Sequence, residues 1–228
     1  MRFAVLGSGS QGNGTLIASA DTYVLVDCGF SLRETEKRLL RLGVNPAQLS
    51  AILVTHEHAD HVHGVGLLSR RYNLPVYLSR GTLRGMRKPI EPAGFVTGGE
   101  QLQIGALNIG VIAVAHDAQE PTQYVFSDGE RRFGLLTDLG SYCERVLDGY
   151  RDLDALMIES NHCRDMLARG HYPYFLKQRV GGELGHLNNH QAAFLVAELG
   201  WQGLQHLVLA HLSSKNNLPQ LARQCFVD

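Results

Sequence analysis

The apolar run Leu49–Thr55 ends directly in HEHADH, so one buried strand would deliver His56, His58, Asp60 and His61 to a single loop. This junction constrains the fold more than any other feature. A two-residue spacing in a loop leaving a strand lets His56 and His58 converge on one ion. Asp60 and His61 are adjacent and diverge, so at a helix start they would face a second ion. Three further residues follow the same rule. His116 comes after the apolar run 109–114, Asp138 after Leu135-Leu136-Thr137, and His211 after Leu207-Val208-Leu209-Ala210. Strand exits are where open α/β folds collect their active sites. Seven nitrogen and oxygen donors are enough for two divalent metal ions. They suit zinc, manganese or iron, and the lack of a cysteine ligand argues against a purely structural zinc site. Two adjacent metals imply hydrolysis.

The rest of the pattern predicts an α/β fold of two sheets covered by helices, as a single domain over 1–228. Strands are expected at 2–6, Thr15–Ala18, Tyr23–Asp27, Leu49–Thr55 and Leu74–Leu78. Two hairpins are expected, one from Phe95 to Val114 turning at Gly105-Ala106, the other from Thr122 to Thr137 turning at Asp128-Gly129. Ala155–Glu159 and Leu204–Ala210 complete the strands. Helices are expected over Leu32–Leu42, stopped by Gly43, and over Val62–Tyr72, 142–150, Asn189–Leu199 and Leu218–Cys225, with a short one near Ser79. The helix from Leu32 carries an apolar stripe of Leu32, Leu39, Leu40 and Leu42. The segment 162–179 is polar, aromatic and basic, with no assigned element.

Charge gives no global support for a polyanionic ligand. Lys and Arg number 21 against 22 Asp and Glu, so any such ligand needs a local patch. MRFAVLGSGS lacks the apolar core of a signal peptide, and no stretch approaches 18 apolar residues. Cys28, Cys143, Cys163 and Cys225 have no CxxC spacing and read as reduced thiols of a cytoplasmic protein.

The run THEHADH, Thr55–His61, closely resembles the T-H-x-H-x-D-H signature of the metallo-β-lactamase superfamily, and the likeness extends over essentially the whole chain. It implies an αββα sandwich of two mixed β-sheets flanked by helices. It also implies that His56, His58 and His116 bind one metal, that Asp60, His61 and His211 bind the other, and that Asp138 bridges them. A hydroxide held between the ions is then the nucleophile, with Asp60 orienting it as a catalytic residue. Asp27 resembles the family's early aspartate, which supports the histidine loop. The ligands do not select the substrate, since this fold hydrolyses lactams, thioesters, lactones and phosphodiesters. An aspartate at 138 disfavours the true lactamases, which carry cysteine there.

Three segments discriminate further. In LGSGSQGNG, Leu6–Gly14, the glycines allow the backbone to turn back toward the metals, and Ser8, Ser10 and Asn13 are placed to donate to a phosphate. ESNH, Glu159–His162, adds Asn161 and His162 after a strand. HYPYFLKQR, His171–Arg179, and GHLNN, Gly185–Asn189, combine Tyr172, Tyr174 and Phe175 with Lys177 and Arg179, near Arg164 and Arg169. Aromatic and basic residues together suit a nucleic-acid end. These segments resemble the YycJ (WalJ) family, with Asn188 where that family has serine. The resemblance implies a nuclease, with 5′-to-3′ exonuclease activity on double-stranded DNA. His186 or His162 would contact the scissile phosphate or protonate the leaving oxygen. Substrate contacts fall to Ser8, Ser10, Asn13, Asn161, Tyr172, Lys177 and Arg179. DNA ends or oligonucleotides are the expected partners, with no membrane. No inserted clamp domain is expected. Related enzymes often form homodimers, which leaves the oligomeric state open. The alternatives are a cyclic phosphodiesterase of the PhnP type and a thioesterase or glyoxalase-type hydrolase.

Overall fold

The computed structural model describes residues 1–227 and, for Trp201, the backbone alone. Its strands form two mixed six-stranded sheets. The first contains β1 (Arg2–Gly7), β2 (Gly14–Ser19), β3 (Thr22–Val26), β4 (Ala51–Leu53), β5 (Val76–Leu78) and β6 (Gly94–Phe95), in that order. The second contains β7 (Gln101–Ile104), β8 (Leu107–Ala113), β9 (Thr122–Ser127), β10 (Arg132–Leu136), β11 (Ala155–Glu159) and β12 (His206–Ala210), in order from β12 to β7. Helices α1 (Leu32–Arg41), α2 (Ala59–Val62), α3 (Val65–Tyr72) and α4 (Arg80–Gly85) belong with the first half of the chain. The second half carries α5 (Glu144–Gly149), α6 (Arg164–Arg169), α7 (Tyr174–Val180), α8 (Asn189–Leu199) and α9 (Pro219–Gln224). No helix among the described residues is long and apolar enough to cross a membrane.

Two compact units emerge. The first comprises Met1–Ala113, Ala118–Thr122 and Phe126–Glu130; the second comprises Val114–Asp117, Gln123–Val125 and the chain from Arg131 onward. In the first unit, β1–β3 are antiparallel and β3–β6 parallel. Parallel strands covered on both faces read as unbroken apolar sequence, and Ala51, Ile52 and Leu53 are fully buried. Leu25, Leu39, Ile52, Val65, Leu68 and Leu78 share one core around them. Each such side chain contributes about 1.5–3 kcal/mol on burial. In the second unit β10, β11 and β12 run parallel, so their C-terminal ends open on one edge.

Three expectations needed revision. The stripe of α1 is narrower than its leucines suggested, because Leu40 and Leu42 are exposed and Leu39 alone of the four is fully buried. The helix expected over Val62–Tyr72 starts only at Val65, as α3, because α2 ends at Val62 and the chain breaks at Gly64. A side chain there would collide with the Phe30 carbonyl and the Cys28 thiol, and Gly64 N donates to the Cys28 carbonyl at 2.7 Å. Phe95 does not open a hairpin with 107–114. Gly94–Phe95 pairs in parallel with β5, and the hairpin is β7–β8 alone. The segment 162–179 contains two short helices, α6 and α7.

Candidate metal-binding clusters

In the first unit, β3 and β4 end side by side and set up a network around Asp27. This residue is almost wholly buried and has a left-handed backbone, φ 60°. Its Oδ1 accepts from Thr55 N at 2.9 Å. Its Oδ2 accepts from the Thr55 hydroxyl and from His61 Nδ1, each at 2.8 Å. The Thr55 hydroxyl in turn lies 3.0 Å from His56 Nδ1. Because that hydroxyl gives its proton to Asp27, it accepts from His56. Both imidazoles therefore carry their proton on Nδ1 and present a bare Nε2, the state a metal ligand requires. His56 Nε2 and His58 Nδ1 stand 3.0 Å apart, and Asp60 Oδ2 lies 3.6 Å from His61 Nε2. Such a set of nitrogen and oxygen donors fits a divalent cation.

The glycine-rich loop is tied to this cluster. Asn13 N donates to the Asp60 carbonyl at 2.8 Å, and Asn13 Nδ2 lies 3.1 Å from Asp60 Oδ2 and 2.9 Å from His61 Nε2. Asn13 Oδ1 accepts from Gly9 N at 2.7 Å. The approach needs Gly29, where a Cβ would fall inside the Asp60 carbonyl.

The second unit gathers its donors from the segment Val114–Asp117, from the ends of β10, β11 and β12, and from the loop between α7 and α8. One ligand atom each from Asp138, Glu159, His186 and His211 lies within 4.8 Å of the others. Asp138 Oδ1 is 3.5 Å from His211 Nε2, 3.8 Å from His186 Nδ1 and 3.9 Å from His116 Nε2. His116 donates through Nδ1 to the Gly185 carbonyl at 3.1 Å, which leaves Nε2 as its lone-pair nitrogen. Burial lowers its pKa, against the raising field of Asp138, and favours that neutral form. Asp138 and His211 also hold left-handed backbones, φ 56° and 50°. Non-glycine residues in this region cost strain that tends to sit at functional positions. This cluster too is a buried, mixed imidazole–carboxylate donor set of the kind that binds divalent cations.

The chain matches the family described as the beta-lactamase superfamily domain over residues 22–212. It is 36% identical over 228 residues to exodeoxyribonuclease YycJ of Bacillus anthracis, covering 98% of this chain and 86% of that one. It is 34% identical over 235 residues to exodeoxyribonuclease WalJ of Streptococcus pneumoniae, covering 100% of this chain and 87% of the relative. The chain belongs to the YycJ/WalJ family of the β-lactamase superfamily. The metallo-β-lactamase fold protein YhfI of Bacillus subtilis has the same fold, with a TM-score of 0.76 at 21% identity over 98% of this chain and 91% of that one.

Within this YycJ/WalJ chain, the other residues singled out in the sequence fall in different settings. Ser8 and Ser10 are exposed on the loop after β1. Asn161 is buried, and its Nδ2 donates to the His211 carbonyl at 2.9 Å. Lys177 Nζ donates to the Ala168 carbonyl at 2.7 Å, at the end of α6. Arg179 is paired with Asp117. Tyr172 is half-buried, with Lys215 Nζ 5.9 Å from its ring centre. Tyr174 and Phe175 are exposed on α7.

The sequence reading passed over Glu159 as a site residue. This carboxylate is fully buried and accepts from four donors: Asp138 N at 3.2 Å, Leu139 N and Leu187 N at 2.9 Å each, and His186 Nδ1 at 3.0 Å. One side chain thus ties the exit of β10 to the loop carrying His186. The signal was present: Glu159 is the single charge closing the apolar strand ALMIE.

His186 and His162 are driven apart in charge. Burial alone would lower His186, but the Glu159 carboxylate, with Asp138 and Asp117, outweighs it and raises the pKa to about 9. Burial pushes His162 down to about 4, and its Nδ1 is buried without a hydrogen-bond partner. At neutral pH His186 is therefore the cation and His162 the neutral ring. The folded pKa of His186 lies above its unfolded value of roughly 6.5. The stability from its pairing is therefore complete below that pH and lost as pH rises through about 9. In chelator-treated protein, the melting temperature should fall between pH 6.5 and 9.5 by about 5 °C more for the wild type than for His186→Gln. Parallel curves would remove the pair as a source of stability.

Proposed function

We propose that this chain is a metal-dependent exodeoxyribonuclease that shortens duplex DNA from an end in the 5′-to-3′ direction. The observation that carries this reading is the likeness, over nearly the whole chain, to two exodeoxyribonucleases. Two divalent ions, zinc, manganese or iron, would be held by His56, His58, Asp60, His61, His116, Asp138 and His211. When bound, such ions supply a hydroxide nucleophile at neutral pH and offset the charge that develops on the phosphoryl oxygens.

The chain's own residues do the rest. Asp60 orients the nucleophile. Asp27 and Thr55 keep the protons of His56 and His61 on Nδ1, away from the ligating nitrogens. His186 has Nδ1 on the Glu159 carboxylate, which favours the protonated ring, so it would donate its Nε2 proton to the leaving oxygen. His162, uncharged at neutral pH, orients the substrate by hydrogen bonding. Ser8, Ser10 and Tyr172 contact the strand directly. Asn13, Asn161, Lys177 and Arg179 act through the loops they tie. The protein works as one catalytic domain without a clamp insertion, in the cytoplasm.

The test is an assay of the manganese- or zinc-loaded protein on end-labelled duplex DNA, single-stranded DNA, RNA, bis(p-nitrophenyl) phosphate and a thioester. Stepwise shortening of the duplex from its 5′ end is expected. Turnover confined to the thioester or to small phosphodiesters would sink the reading.

A further inference from the structure

The first unit contains a cavity of about 550 Å³ beside the histidine loop. Its size falls in the range of roughly 300–1,000 Å³ typical of small-ligand sites. His58 forms part of its wall, so anything bound there rests against a residue of the proposed metal centre. Arg70, Arg87 and Lys88 stand around it. All three are exposed, and none has an ion pair or side-chain hydrogen bond among the described residues. Arg179 and Lys177, in the stretch that looked most basic in the sequence, are instead occupied by Asp117 and the Ala168 carbonyl. The cavity's cations also belong to a wider bias. Residues 61–90 contain Arg70, Arg71, Arg80, Arg84, Arg87 and Lys88 and no acid at all, in a chain whose net charge is -1.

Opposite chemistry lines the rest. Leu67, Met86 and Ile90 supply an apolar wall, and Leu67 is half exposed. Glu57 is the one acid of the lining. Its Oε1 accepts from Gln119 N at 2.8 Å, while its Oε2 is buried with no hydrogen-bond partner. Gly85 makes room for it, since a Cβ at that position would collide with the Glu57 side chain. A ligand suited to this arrangement carries anionic groups for three cations and a flat apolar body. A nucleotide has both, and the lone carboxylate sets its direction by repelling the phosphate end.

We propose that this cavity is a nucleotide subsite, which holds one nucleotide of the DNA strand next to the scissile bond. Its phosphates lie on Arg70, Arg87 and Lys88, and its base lies against Leu67, Met86 and Ile90. The inference rests on the nuclease reading and specifies where the strand sits.

Binding separates the two. A fluorescent 5′-phosphorylated duplex is titrated into the metal-free protein in chelator, at several salt concentrations, with anisotropy as the readout. Arg70→Ala/Arg87→Ala/Lys88→Ala should weaken binding at least about 10-fold and flatten the slope of log K against log salt by about 0.9 per lost phosphate contact. Leu67→Asp keeps all three cations but sets a carboxylate on the wall, and should weaken binding comparably. Arg33→Ala/Lys37→Ala/Arg41→Ala removes the same charge from α1 and should leave the slope nearly unchanged. Wild-type binding and slope in both cavity variants would overturn the subsite, as would an equal loss in the α1 variant. If the wild type binds through these residues yet degrades no DNA, the subsite stands and the exonuclease reading falls. If it degrades DNA while the cavity variants bind normally, the subsite alone falls. Absence of both binding and degradation overturns both.

Discussion

Asp138→Asn should reduce turnover of the true substrate by on the order of 10³-fold or more and should lower bound metal in parallel. Asp138 is the carboxylate faced by His116, His186 and His211, at 3.9, 3.8 and 3.5 Å. Its backbone is left-handed, φ 56°. Asparagine tolerates that conformation, whereas alanine pays a steric penalty of about 1 kcal/mol or more there. The asparagine variant therefore removes the charge with little change in the backbone. Three imidazoles would then surround a neutral amide, whose NH2 group cannot act as a ligand. Elemental analysis of the dialysed protein should show metal lost, while the melting temperature in chelator stays near the wild-type value. Asp138→Ala should lose activity as fully, with an added loss of stability. Full activity in either variant would overturn the metal-dependent mechanism.

How much of this was legible beforehand depends on whether the cause is local. The descent of β4 into HEHADH was legible because a strand buried on both faces leaves an unbroken apolar run, and a polar cluster directly after it marks a strand exit. The same rule located His116, Asp138 and His211 after β8, β10 and β12. Where the cause is a distant contact, the reading fails. Gly64 breaks a helix because Phe30 and Cys28 press on it, and nothing near residue 64 in the chain announces them. Gly94–Phe95 is a two-residue strand defined only by its neighbour β5. Helix α7 buries no residue, so it has no apolar stripe to give the helical period away. The pairing of charges is set by such contacts too: Arg179 meets Asp117 and Lys177 the Ala168 carbonyl, whereas Arg70, Arg87 and Lys88 have no such partner among the described residues.

Asp27 offers the sharpest separation of folding from metal binding. Asp27→Ala leaves Thr55 N, the Thr55 hydroxyl and His61 Nδ1 buried without their acceptor. An unsatisfied buried donor costs about 1–3 kcal/mol. The combined loss should be on the order of 3–5 kcal/mol, a large part of the 5–15 kcal/mol that stabilises an ordinary domain. For a chain of this size the melting temperature should drop by about 10 °C or more. Asp27→Asn behaves differently, because asparagine accepts the left-handed backbone and its carbonyl can still receive one donor. Thr55 N cannot change its role, so the amide oxygen keeps that donor, and the NH2 group faces the Thr55 hydroxyl, which can accept, and His61 Nδ1, where a donor against a donor is repulsive. The strain is relieved when His61 moves its proton to Nε2, the nitrogen that would bind metal. Asp27→Asn should therefore keep most of the melting temperature in chelator yet bind metal about 10–100-fold more weakly. A variant that binds metal like the wild type would show that the tautomer of His61 is not set by Asp27. Equal losses of stability in Asp27→Ala and Asp27→Asn would show that the carboxylate's charge, and not the number of donors it satisfies, holds β3 to the histidine loop.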